Sequence, residues 1–155
     1  MMTKHVDGSS EIILDARLRP LLVATWVGPA TLDLIAAFQA WIDAEIARAK
    51  PRAARLMLIN DGSAAGRPPA DVRRAFSEQR VDEQILVRTY AVIDNPLVRG
   101  AMTAIGWLIG DRFSVTSCKT MAEALATAAT DADALGITLP TTLEREARGS
   151  AARSA

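Results

Sequence analysis

The sequence predicts an α/β domain built on a five-stranded, mostly parallel sheet with one antiparallel edge strand. Three observations carry this. Short apolar runs alternate with stretches of helical periodicity in the order β-β-α-β-α-β-α-β-α. The inner runs LLVATWV (21–27), LMLI (56–59) and YAVI (90–93) are apolar on both faces, as strands covered from two sides are. The first two runs stand too close together for a crossover helix, so they pair antiparallel, whereas the later ones are separated by helices and call for right-handed crossovers.

Residues 1–10 are polar and read as a flexible N-terminus. The domain proper spans 11–139. Residues 140–155, rich in Ala, Arg and Ser without apolar periodicity, read as a disordered C-terminal tail. EIILD (11–15) is short and flanked by charge, which suits an edge, and a charged turn through Pro20 leads to the central strand 21–27. Gly28-Pro29 ends that strand. Thr31 is placed to cap a helix in which Ile35, Phe38, Ile42, Ile46 and Ala49 recur at helical spacing, while Asp33, Gln39, Asp43 and Arg48 fall elsewhere. After LMLI, Asn60-Asp61-Gly62-Ser63 opens a loop that reaches Pro69. Asp71 then lies in the first turn of a second helix, where a carboxylate complements the macrodipole. Residues 81–86 fit either the end of that helix or the start of the next strand.

The strand 90–93 turns at Asp94. Asn95 is an N-cap and Pro96 the first residue of a helix that stops at Gly110. Residues 112–118 make a last, more polar strand at or near an edge. Thr120-Met121-Ala122-Glu123 has the form of a capping box, opening a final helix that ends near Gly136.

Composition narrows the chemistry. A chain of 155 residues suits one domain, able to bury roughly 70% of its unfolded surface. Basic and acidic residues balance at 18 each, so no net field draws it to nucleic acid or an anionic membrane. Cys118 is the only cysteine and His5 the only histidine, which excludes an intrachain disulfide and zinc sites built from several Cys or His. A Ser-His-Asp arrangement would have to recruit His5 from the polar N-terminal stretch. Residues 1–10 lack the core of a signal peptide, and no apolar run approaches the ~20 residues needed to span a bilayer, so the chain reads as cytoplasmic. Residues 62–66 lack the Lys-Ser/Thr of a phosphate-binding loop. No cofactor and no metal are expected.

The element order, together with LMLINDGS, VIDNPLVRGAMTAIGWL and FSVTSCKTMAEALA, resembles the SpoIIAA-like fold. That fold includes the STAS domains of anti-sigma-factor antagonists and the CRAL-TRIO lipid-binding domains. The resemblance runs from about residue 11 to residue 135. It implies a regulatory domain that acts by binding protein partners, in some members switched by phosphorylation of a Ser in an Asp-Ser-Ser/Thr-Gly motif opening the second helix. Here that loop reads Asp61-Gly62-Ser63-Ala64-Ala65-Gly66; the motif is missing, and Ser63 is the residue that can stand in for its serine. A phosphate there would lie near a helix N-terminus. The CRAL-TRIO side implies instead a small apolar ligand or lipid, held between the sheet and the helix after Asn95.

Ligands of open α/β sheets gather beyond the carboxyl ends of the strands. Those ends carry Asn60, Asp61 and Ser63, then Asp94 and Asn95, then Ser117 and Lys119. An enzymatic pocket of Asp61, Asp94, Asn95 and Lys119 is one reading; Asp and Asn serving their own turns is the other. Cys118 beside Lys119 is either a thiol of lowered pKa or a small apolar filler. The helix after Asn95 carries more apolar surface than one buried stripe requires, since Leu97, Val98, Ala101, Met102, Ile105, Trp107, Leu108 and Ile109 nearly encircle it. Either it packs beneath its neighbours, or Val98, Met102, Ile105, Trp107 and Ile109 contact a protein partner or a second copy. The sequence thus predicts a non-enzymatic regulatory or protein-interaction module, with apolar-ligand binding and an acidic strand-end pocket as the alternatives.

Overall fold

In the computed structural model, which describes residues 1–96 and 115–142, the strands stand side by side in chain order. They are β1 (Met2–Asp7), β2 (Ser10–Asp15), β3 (Leu21–Gly28), β4 (Leu56–Ala65), β5 (Leu86–Val92) and β6 (Val115–Cys118), in one six-stranded sheet. β2 is antiparallel to both β1 and β3, and β3 through β6 are parallel. The helices flank this sheet, as the alternation of patterns predicts.

Two corrections concern its antiparallel side. Among the described residues the sheet has six strands, because the N-terminal stretch expected to be frayed forms β1. The antiparallel strand is also internal, with β1 covering the flank of β2 that was expected to be the edge. The hairpin is closed by Gly8-Ser9, with Gly8 at φ 61°, a conformation glycine adopts without a Cβ penalty. Residues of β1 alternate between exposed and half-buried, so the period of two is present; its half-buried positions are the polar Thr3, His5 and Asp7, while the apolar Met2 and Val6 stand on the exposed side.

α1 (Leu32–Ala49) starts where predicted: the Thr31 hydroxyl accepts the Leu34 N–H at 3.3 Å. It lays Leu34, Ile35, Phe38, Ile42 and Ala49 on a sheet face made by Ile12, Leu14, Leu22, Ala24, Trp26 and Leu58. α2 (Ala70–Glu78) joins the same face through buried Val72 and half-buried Ala75 and Phe76. α2 ends at Glu78, and the chain turns through residues 81–85 into β5 at Leu86, so the ambiguous 81–86 stretch neither continues the helix nor, before its last residue, joins the strand.

The opposite face is narrower. Leu21, Met57, Ile59, Tyr90, Val92 and Cys118 pack against Ala124, Ala128 and Ala132 of α3 (Met121–Leu135), joined by Leu139. An alanine stripe lets the helix approach the sheet closely. The Thr120 hydroxyl accepts from Glu123 N–H at 3.1 Å, and the Glu123 carboxylate accepts from Lys119 N–H at 2.6 Å, so the box is reciprocal but shifted by one residue on its second arm. Gly136, at φ 66°, terminates the helix in the left-handed conformation. The Arg55 guanidinium donates to the Leu135 carbonyl, fastening the last turn to the chain just before β4.

The helix expected at 96–110 and the tail beyond residue 142 lie, apart from Pro96, outside the described residues.

Candidate functional site

The carboxyl ends of β4, β5 and β6 line up by register. Asp61 stands opposite Val92, and Val92 opposite Cys118. Asp94 and Asn95 come one residue beyond β5, after buried Ile93, and are exposed; Lys119 follows β6 and is exposed as well. All four residues of the expected pocket therefore lie at one end of the sheet.

Their immediate surroundings explain what each does. Asn60 and Asp61 are consecutive in β4 and alternate between faces. Asn60 turns toward α1 and α2, where its Oδ1 accepts Trp26 Nε1–H at 3.3 Å. The Asp61 carboxylate instead accepts the Ser63 backbone N–H at 3.1 Å and the Ser63 hydroxyl at 2.7 Å. This is the local side-chain-to-backbone bonding that Asp favours at turns. The Lys119 backbone N–H belongs to the cap of α3. Among the described residues no group of three or more His, Cys, Asp or Glu could hold a metal ion.

The segment 60–65 is not the loop the sequence suggested. β4 runs on to Ala65, with a register shift in which Thr25 faces Asp61 and Val27 faces Ala64, so two steps on β3 span three on β4. That is a β-bulge, and it re-aims the side chains that follow it. Gly62 sits at the bulge, where a Cβ would come to 3.3 Å from the Val92 carbonyl oxygen. Ser63 is left exposed on a strand end, and α2 begins only at Ala70, so Ser63 does not occupy the turn that opens the helix, as was expected of it.

Cys118 is buried, and burial pushes its thiol up, with the nearby Glu123 carboxylate adding to the effect; the Thr127 side chain works in the opposite direction. The thiol is the apolar filler of the two readings. Tyr90, also fully buried, donates its hydroxyl to Asp131 Oδ2 at 2.6 Å, with Arg88 Nε 3.9 Å from the same carboxylate. Burial first, and then the bond to Asp131, raise the Tyr90 hydroxyl far above the usual tyrosine range. The sign follows from linkage. A folded-state pKa above the unfolded value means that the stabilisation is whole below the unfolded pKa and is lost as pH rises beyond it. Wild-type protein is expected to lose about 1.4 kcal/mol of stability per pH unit above about pH 10 from this group, an increment that Tyr90→Phe lacks. Urea-unfolding midpoints of both proteins, compared from neutral pH upward, measure the difference.

Sequence reasoning passed over two pairings. Glu45 is buried on α1 and receives Arg19 in a two-pronged ion pair, Nε to Oε2 at 2.6 Å and Nη2 to Oε1 at 2.7 Å. A signal was available: Glu45 lies three residues after Ile42 and four before Ala49, on the buried stripe. Tyr90 with Asp131 joins residues 41 apart, and nothing local announces it.

The contact residues expected on the next helix, Val98, Met102, Ile105, Trp107 and Ile109, lie outside the described residues, as does most of any cavity between that helix and the sheet. A shallow groove of about 520 Å³ runs elsewhere, between α1 and α2, lined by Leu32, Ile35, Gln39, Ala75, Gln79 and Arg80 among others. No described helix is long and apolar enough to cross a membrane.

Taken together, the chain is an α/β domain with a central sheet flanked by helices, consistent with a STAS-like fold. Among solved structures it is similar to the crystal structure of an anti-sigma factor antagonist from Mycobacterium paratuberculosis, with 16% sequence identity, coverage of 77% of this chain and 93% of that one, and a TM-score of 0.50. At that identity the likeness is one of fold. No protein-family model and no curated protein matches the chain.

Proposed function

We propose that this chain is a non-enzymatic, cytoplasmic regulatory domain of the STAS type that works by binding a protein partner. The observation that carries the reading is the likeness of fold to an anti-sigma factor antagonist over 77% of the chain. The local chemistry of the strand ends supports it. Asp61 is engaged by Ser63, Asn60 by Trp26, and Cys118 is sealed in the core with a raised pKa. These are structural roles.

The proposed contact surface is the helix after Asn95, through Val98, Met102, Ile105, Trp107 and Ile109. Met and Trp are among the residue types that interfaces enrich. Ser63 is the proposed regulatory position. It is exposed, and its hydroxyl donates to Asp61. A phosphate there removes the donor and sets a charge of about −1.5 to −2 beside a carboxylate, which drives the bulged end of β4 apart from its present bonding.

Calorimetric titration of the purified chain with the anti-sigma factors of its source organism tests the reading. One of them is expected to bind the wild type, to lose that binding when Trp107→Glu is introduced into a chain that still folds, and to bind Ser63→Glu about tenfold more weakly, the scale of one lost charged contact. Absence of binding by every one of them overturns the proposal.

A further inference from the structure

Among the described residues one side of β1 faces no strand of the sheet, and the register shows which groups it presents. Ala16 N–H donates to the Met1 carbonyl at 2.9 Å, so residue 1 bonds toward β2. In an antiparallel ladder every second residue does the same. Thr3, His5 and Asp7 therefore direct their backbone groups inward, and Met2, Lys4 and Val6 direct theirs outward. The side chains of those three residues also share one face and are exposed. Among the described residues the exposed large apolar side chains are Met1, Met2, Val6, Leu32 and Val115, so three of the five sit on or beside this one edge. Such an edge is a template for another strand.

The pattern is self-complementary. If a second copy approaches antiparallel, on a two-fold axis perpendicular to the sheet and midway between the two Lys4 residues, Met2 faces the partner's Val6 and Val6 faces the partner's Met2. Each outward N–H and C=O of residues 2, 4 and 6 then meets a counterpart, and apolar side chains lie opposite apolar ones. No shift of register by one residue preserves this, because it would set each outward-bonding residue opposite one whose groups are already bonded to β2. The one adverse pair is Lys4 against the partner's Lys4, and edge lysines ordinarily deter pairing. Here each Lys4 ammonium is already matched by Glu11 of its own hairpin at 2.6 Å, so what meets across the axis is a pair of neutralised ion pairs.

We propose that β1 is a self-association edge, through which two copies join their sheets by antiparallel β1–β1 pairing centred on Lys4. The inference does not depend on the partner proposed above. The interface is short, so the dimer forms at the weak end of the range of specific complexes.

Sedimentation velocity of the full chain from micromolar to millimolar concentration is expected to show a dimer that grows with concentration. Val6→Lys puts a second lysine in the outward row against the partner's Met2 and is expected to abolish the dimer; Val6 is 62% exposed, so the fold tolerates the change. Register is read by cysteine cross-linking. Lys4→Cys places two thiols face to face across the axis, within disulfide reach, and is expected to form about tenfold more covalent dimer than Val6→Cys, whose thiols lie several residues apart. A wild type that stays monomeric throughout overturns the proposal. So does a dimer that Val6→Lys leaves intact, or equal cross-linking by the two cysteine variants.

Discussion

Arg19→Ala is expected to lower the free energy of unfolding by about 3 kcal/mol in urea titrations at neutral pH. The Glu45 carboxylate is only 3% exposed and lies among Ile42, Ala49 and the other side chains that α1 presses onto the sheet. Arg19 satisfies both carboxylate oxygens and reaches out to solvent. Removing it leaves a buried anion with only Arg48, 3.9 Å away, beside it. The cost is that of stranding a charge, and it exceeds the net worth of the pair itself. The double variant Arg19→Met/Glu45→Leu, which removes both charges and restores apolar volume, is therefore expected to unfold within about 1 kcal/mol of the wild type. If Arg19→Ala proves as stable as the wild type, the ion pair does not anchor α1.

Phe38→Ala is expected to cost about 4 kcal/mol, the range for deleting a buried aromatic ring. Phe38 is 4% exposed and occupies the middle of an aromatic cluster, with ring centroids 5.4 Å from Trp26, 6.3 Å from Trp41 and 6.5 Å from Phe76. Those rings belong to β3, α1 and α2, so the cavity opens where three elements meet. Trp26 also meets Phe76 edge-on at 5.6 Å, and it would lose packing on the Phe38 side as well. Phe38→Leu keeps most of the volume and is expected to cost only about 1.5 kcal/mol. The two midpoints, measured under the same conditions, separate cavity formation from a general loss of hydrophobicity.

Local patterning reached far into this fold. The apolar stripe of α1 and its Thr31 cap, the capping-box helix ending at Gly136, and the doubly buried strands were legible because each is a short-range matter of periodicity and hydrogen-bond bookkeeping. β1 was misjudged because the side it turns to the protein carries Thr3, His5 and Asp7 in place of apolar residues; a strand at a sheet edge needs no apolar face to be held by its backbone. The bulge in β4 was read as a loop because Asp-Gly-Ser is turn chemistry, and the turn it makes is folded inside a strand. Of the four strand-end residues expected to line a pocket, Asp61 bonds its neighbour two residues on.

Order of elements, helix ends and the identity of the core strands follow from neighbours in sequence, because capping and amphipathic periodicity act over a few residues. Which face Asn60 turns to, and which partners Glu45 and Tyr90 find, depend on residues between 26 and 41 positions away. Those contacts exist only once the sheet has set its register, since a shift of one residue would exchange every inward side chain for an outward one.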